Sequence, residues 1–331
     1  STVATEGLHY LADPGYQHRY YVDLPATISD VYIDADGDTN NEWTTILIGG
    51  QRQGGKGLFA LNVTDPSTFS EANASNIAMW EFTDPDLGLT FSKPTVAMME
   101  NGRWAAIFGN GYNDSGSGQA TLYIVFIDGG LDGVWTDGSG GTDLDYIKLS
   151  TGVGDSTTPN GLATPTIVDV SGNGAADRVY AGDLRGNLWA FDLSDATTLG
   201  SPNLIPSGWG SAYTSSGSPQ PLFTATDSGG TAQPITVKPA VAHHPNPPSN
   251  PGDPNLMVYF GTGKYLEKTD MTDTSDQSFY GIWDHGSGGM TRSDLQSQTI
   301  SDSGSTDSDG NSLRLVTDNT VNYSNTDGWY M

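Results

Sequence analysis

The chain has 331 residues, enough for one large all-β domain or two ordinary ones with a substantial core. Its 13 Lys and Arg stand against 39 Asp and Glu, a formal charge of −26, which repels nucleic acid and anionic membrane surfaces. It has no cysteine, which excludes disulfides and thiolate chemistry, while 43 Gly and 18 Pro beside 35% hydrophobic residues mark a turn-rich β protein with a core.

One pattern recurs in chain order: a short apolar strand, a polar loop, a strand ending in Gly, a Gly-rich turn, then an aromatic-bearing strand. The first copy reads SDVYI at 29–33, TTILIGG at 44–50 and GLFALNV at 57–63. The second reads KPTVAMM at 93–99, WAAIFGN at 104–110 and TLYIVFID at 121–128. The third reads ATPTIVDV at 163–170, RVYAGD at 178–183 and GNLWAFDL at 186–193. The fourth reads VKPAVAH at 237–243, LMVYFGTG at 256–263 and FYGIWD at 279–284. A weaker fifth set is LRLVT at 313–317 followed by GWYM.

Aligned on Val31, Thr95, Thr166 and Ala240, the copies lie 64, 71 and 74 residues apart. A further strand-like piece precedes each: RYYVD at 19–23, MWEF at 79–82, YIKLS at 146–150 and PLFTAT at 221–226. Four short strands per unit, bounded by Gly, Pro, Asn or Asp, are the signature of a propeller blade. The expected fold is an all-β, single-domain β-propeller of four-stranded antiparallel blades over residues 1–331. About five repeats are recognisable, with room for up to seven blades. A β-sandwich with coincidental spacing is the alternative, disfavoured because the same Gly-terminated strand keeps preceding the same aromatic strand. No amphipathic helix and no membrane-spanning apolar run is predicted. The insertions at 64–78, 110–120, 129–143, 194–220, 244–255 and 264–278 read as polar loops, the usual seat of function. The chain opens without Met and stops at Gly328-Trp329-Tyr330-Met331, within what reads as a strand, so a fragment of a longer protein is expected.

Two acidic loops carry the chemistry. Asp169, Ser171, Asn173 and Asp177 place oxygen side chains at positions 1, 3, 5 and 9, with the Ala175 carbonyl at position 7 and Gly174 at the turn. Calcium takes six to eight hard oxygen ligands, and alternation in a curled loop points them inward. The full EF-hand pattern fails, since position 12 is Tyr180 and no helices flank the loop. Asp34, Asp36, Asp38 and Glu42, with the Asn40 carbonyl, repeat the spacing with four carboxylates. Both loops follow the first strand of their repeat, and one or two calcium ions are expected. The alternatives are an Asx-turn loop at 169–177 and a solvated acidic loop at 34–42. A third acidic stretch, Asp302 to Asp309, lacks the spacing and reads as a solvated loop.

Enzyme signals are weak. Asp86 to Phe91 resembles a sialidase Asp-box, without the arginine cluster that a sialidase needs. His243 and His244 are adjacent and followed by Pro245, which excludes a metalloprotease helix. Gly261-Thr262-Gly263-Lys264 misses the phosphate-loop spacing and reads as a strand end. A quinone-dependent propeller is disfavoured by the lack of a repeated tryptophan-docking motif. Trp80, Trp189 and Trp283 read as packing residues.

The segments GQRQGGKGLFALNVTDP, MWEFTDPDLGLTFSKPTVAMM, DVSGNGAADRVYAGDLRGNLWAFDL and YFGTGKYL closely resemble the C-terminal propeller of the PilC/PilY family. HRYYVDLPATISDVYI and GWYM match that domain's ends, so the resemblance runs from about His18 to Met331. It implies a noncatalytic protein of the bacterial cell surface, associated with type IV pilus tips through the minor pilins. Adhesion to a surface receptor and control of pilus extension and retraction follow from it, gated in some members by calcium. The family's calcium loop matches at Asp169 to Asp177. Two departures stand out: the larger N-terminal part of the family is absent, and the first-repeat loop, often short in the family, here holds the acidic run at 34–42. No Arg-Gly-Asp sequence occurs. A propeller-scaffold enzyme (glycosidase or quinoprotein) and a purely structural surface component are the competing classes.

Overall fold

The computed structural model describes residues 8–331 except 113–115, 139–142, 202 and 249. Parts of the insertions at 110–120, 129–143, 194–220 and 244–255 therefore lie outside the described residues. The strands are β1 (Thr27–Ile33), β2 (Glu42–Gly50), β3 (Leu58–Asn62) and β4 (Ala78–Phe82), then β5 (Thr95–Met98), β6 (Trp104–Gly109), β7 (Gln119–Phe126) and β8 (Tyr146–Gly154). Each four forms an antiparallel sheet in sequence order. A third sheet is built on β9 (Thr166–Val168), β10 (Arg178–Gly182) and β11 (Asn187–Asp192), with β12 (Gly210–Ser211) beside β11. β13 (Tyr213–Ser215) and β14 (Ser218–Gln220) make a separate hairpin, and β15 (Phe223–Thr224) is the outer partner of β11.

The fourth sheet begins with β16 (Ala240–His243), β17 (Leu256–Gly261) and β18 (Phe279–Asp284). After β19 (Met290–Thr291), β20 (Gln296–Ser297), β21 (Ile300–Thr306) and β22 (Ser312–Val316), β23 (Gly328–Tyr330) returns antiparallel to β18. Helix among the described residues is limited to short 3-10 turns and one four-residue turn at Ala74–Ile77. None is long and apolar enough to cross a membrane.

Contacts divide the chain into two compact units, residues 1–181 with 191–212, and 182–190 with 213–331. In the first, β7 is buried from Ala120 onward on both faces, which is why QATLYIVF lacks the polar alternation of a half-exposed strand. Phe82 of β4 meets Phe108 and Tyr123 edge-on, with ring centroids 6.2 and 5.8 Å apart. Each such buried ring contributes roughly 1.5–3 kcal/mol over an exposed one. In the second unit Tyr280 stacks on Phe260 and packs against Phe223, 5.3 and 4.9 Å between centroids.

Several assignments shift. MWEF, YIKLS and PLFTAT are the outer, fourth strands of the preceding sheets, not the openings of the next ones. RYYVD is not a strand: Asp23 accepts from Gln53 N at 3.0 Å and Leu24 N donates to Gly50 O at 3.3 Å, so the segment crosses the end of the first sheet. Residues of the weak fifth set part company. LRLV lies in β22, an exposed hairpin with β21, while GWY joins the fourth sheet as β23, between β18 and β20.

The residue after each Gly-terminated second strand makes the same hairpin bond. Gln51, Asn110, Asp183 and Thr262 follow it, and each donates its N–H across the hairpin to a residue at or near the start of the third strand (Gly57, Thr121, Asn187 and Ser278), at 2.9–3.1 Å. In three of the four the side chain also accepts from that residue's N–H: Thr121 to Asn110, Asn187 to Asp183, Ser278 to Thr262. In the second and third sheets the connector to the next sheet crosses this hairpin. A Cβ on Gly109 would lie 2.3 Å from Leu162 O, and one on Gly182 would lie 2.2 Å from Ile235.

Candidate metal centre

The loop between β1 and β2 curls around Asp34. Its Oδ1 accepts from Gly37 N (2.8 Å) and Asp38 N (3.1 Å), and its Oδ2 from Thr39 N (2.9 Å). Asp36 Oδ1 accepts from Asp38 N (3.1 Å), Asp38 Oδ1 from Asn40 N (2.8 Å), and Glu42 Oε1 from Ala35 N (3.0 Å). One oxygen from each of Asp34, Asp36, Asp38 and Glu42 lies within 4.8 Å of the others. No Lys, Arg or His forms an ion pair with these four among the described residues. Like charges at such spacing repel by about 3 kcal/mol per pair at an effective dielectric near 20. The donor set is all hard oxygen, and it fits a divalent cation.

The loop between β9 and β10 repeats the main bonds of this scaffold, those to its first, fifth and ninth residues. Asp169 Oδ1 accepts from Gly172 N (2.6 Å) and Asn173 N (3.2 Å), and Oδ2 from Gly174 N (2.8 Å). These bonds, the Gly174 N–H foremost, hold the Asp169 carboxyl below its usual range. Ser171 Oγ donates to Asp169 Oδ1 at 3.3 Å, and Asn173 Oδ1 accepts from Ala175 N at 2.8 Å. Asp177 closes the loop as Glu42 does, accepting from Val170 N (2.8 Å) and Ser171 N (2.9 Å). It is 4% exposed. Asn40 and Ala175 occupy corresponding places, so each offers its carbonyl at the same point of the curl. The two loops differ in charge, four carboxylates against two.

Glu100, which the spacing could not single out, reaches the second loop from the β5–β6 turn. Its Oε1 accepts from Asn173 Nδ2 at 2.9 Å. The Asp302–Asp309 stretch proves to be largely strand and hairpin turn, exposed throughout, with Asp302 paired to Arg314 at 3.3 Å.

The rejected enzyme motifs have structural partners. Lys148 Nζ bridges Asp84 (3.2 Å) and Asp86 (3.0 Å), and Tyr123 donates to Asp84 at 2.7 Å. Burial and the Asp84 charge push Tyr146 up to about 12. Lys264 pairs with Asp270 at 3.0 Å. His243 is exposed, whereas His244 is buried and stacks on Trp283 at 4.5 Å. Trp189 is fully buried and donates to Asp183 at 2.9 Å. Another acidic group lines a cavity of about 300 Å³, where Arg103 is held by Asp128 at 2.6 Å. Burial, with Asp143 and Asp132 nearby, pushes the Asp145 carboxyl there up.

Known proteins share this chain almost end to end. The family model of the PilY1 beta-propeller domain matches residues 1–309. A type IV pilus biogenesis factor PilY1 homolog of Xylella fastidiosa is 38% identical over 337 residues, covering 98% of this chain and 20% of its own length. Type IV pilus biogenesis factor PilY1 of Pseudomonas aeruginosa PAO1 is 38% identical over 355 residues, 98% of this chain and 28% of its own. The chain thus spans between a fifth and a third of these relatives. The crystal structure of the Pseudomonas aeruginosa PilY1 C-terminal domain matches with a TM-score of 0.71 at 35% identity, covering 95% of this chain and 63% of that one. The repeated four-stranded sheets are the blades of a β-propeller, and the chain belongs to the PilY1 β-propeller domain family.

Proposed function

We propose that this chain is the calcium-binding β-propeller of a type IV pilus-associated surface protein. It acts in pilus biogenesis, in control of extension and retraction, and in adhesion. The observation that carries the calcium reading is the shared scaffold of the loops at 34–42 and 169–177, in which one set of bonds presents oxygen ligands at the same places. Asp34, Asp36, Asp38, Glu42 and the Asn40 carbonyl hold one ion. Asp169, Ser171, Asn173, Asp177 and the Ala175 carbonyl hold the other. Calcium performs no chemistry; it neutralises the carboxylates and fixes each loop, favouring the binding-competent surface. The pilus role rests on the relatives named type IV pilus biogenesis factors. The protein works outside the cell, with pilus-tip proteins (minor pilins) and a surface receptor as partners. A noncatalytic role is favoured by Asp86, which opens the Asp-box-like segment at 86–91, being tied to Lys148, itself also paired with Asp84.

Calorimetric calcium titration with thermal melting tests this on the chain and on the Asp34→Ala and Asp169→Ala variants. Two binding events in the micromolar to millimolar range are expected. Each variant should lose one. No heat and no shift in melting at millimolar calcium would remove the mechanism.

A further inference from the structure

We infer that Glu100 is a positioning residue for the metal loop at 169–177, and that cation binding there is tied to the neighbouring β5–β6 turn. The inference rests on the calcium reading of that loop. An asparagine amide carries an acceptor on one side and a donor on the other, and only Oδ1 can face a cation. Glu100 decides which side faces in. Its carboxylate takes the Asn173 Nδ2 donor at 2.9 Å, and Oδ1 is left turned into the loop, where Ala175 N donates to it at 2.8 Å. The flipped amide would set Oδ1 against the Glu100 carboxylate and its NH2 against the Ala175 N–H.

Glu100 is delivered from a fixed support. Met99 N donates to Arg103 O (2.9 Å) and Gly102 N to Met99 O (2.8 Å), closing the turn, and Met99 is 1% exposed. The metal loop is anchored to the same turn, since Ala176 N donates to Met98 O at 2.8 Å. The loop at 34–42 needs no such partner. Asp38 stands where Asn173 does, and a carboxylate offers oxygen whichever way it turns. Charge therefore defines the acceptor in one loop, and a side chain from an adjoining sheet defines it in the other.

The test is calcium titration by calorimetry on the whole chain, with melting in calcium and in chelator. Glu100→Ala should weaken the event that Asp169→Ala abolishes by about tenfold, the usual effect of losing a group that orients a ligand. The event that Asp34→Ala abolishes should be unchanged. Glu100→Gln keeps an acceptor for Asn173 Nδ2 and should restore most of the affinity. Combining Glu100→Ala with Asn173→Asp should also restore it. Unchanged affinity in Glu100→Ala overturns the inference, as does Glu100→Gln binding as weakly as Glu100→Ala, which would mean charge and not orientation. A drop in melting of Glu100→Ala that is as large in chelator as in calcium would make the contact merely structural and also overturns it. If Asp169→Ala binds as wild type does, the calcium reading of that loop fails and the inference falls with it. That outcome is separate from a silent Glu100→Ala beside a defective Asp169→Ala.

Discussion

Thr39 and Gly174 hold the sixth position of equivalent loops with φ of 76° and 90°. That left-handed region is open to glycine and costs a β-branched residue about 1–2 kcal/mol. Thr39 tolerates it because Asp34 Oδ2 binds its N–H at 2.9 Å. Thr39→Gly should raise stability by roughly 1 kcal/mol in chelator, and Gly174→Thr should lower it by a similar amount, both read by urea denaturation. The ligand spacing was legible because alternating Asp, Asn and Ser are turn formers as well as oxygen donors. Asp169 and Asp34 could be picked out together since each follows a first strand. Glu100 was not legible: 73 residues separate it from Asn173, and only the packing of one sheet's turn on the next loop brings them together.

At the scale of elements, β23 is the informative strand. It joins β18 through Tyr280, Gly281 and Ile282, and its approach is fixed by Trp283 N donating to Asp327 O at 2.8 Å. His285 at the end of β18 pairs with the Asp327 side chain at 3.0 Å. That hydrogen bond, with the Asp327 and Asp284 charges, outweighs burial and raises the histidine above its ordinary 6.5. A raised folded value means that the pair's contribution is fully present below pH 6.5 and fades as pH climbs through the folded value. For a partly exposed pair this amounts to about 1 kcal/mol or less. Denaturation midpoints measured from pH 5.5 to 9 should fall for wild type and lose that component in His285→Gln. The sequence exposed the second and third strands of each blade because both are densely apolar, and the Gly before the hairpin is enforced by a crossing connector at Gly109 and Gly182. It misled at the fourth strand. Long insertions of variable length precede that strand, so in sequence GWY stands with LRLV, 12 residues upstream, whereas its partner is FYGIWD.

For the whole molecule, charge is the governing quantity. At −26 the folded chain repels itself, and two bound calcium ions would remove four of those charges. Affinity in such loops follows the number of charged ligands, so the four-carboxylate loop should fill first and the two-carboxylate loop at about tenfold or more higher calcium. Terbium can report the order. Tyr32 and Trp43 flank the first loop as exposed cross-strand partners, ring centroids 5.4 Å apart, and are placed to sensitise an ion there. Titration with terbium under tryptophan excitation should give an early bright phase that Asp34→Ala removes and Asp169→Ala leaves intact.

The order of strands within a blade has a mechanical corollary. In all four sheets the long insertion lies between the third strand and the fourth, at 63–77, 127–145, 193–222 and 285–327. The outer strand is thus covalently remote from the hairpin it completes and is held there by its ladder and its buried side chains, as β4 is by Trp80 and Phe82. A protease that severs an insertion outside β12, β19 and β20, which pair with the third and fourth sheets, would leave the ladders of the blade in place. A protein with this construction can be nicked at exposed loops, or acquire new ones there, and still keep the framework that carries the acidic loops at 34–42 and 169–177.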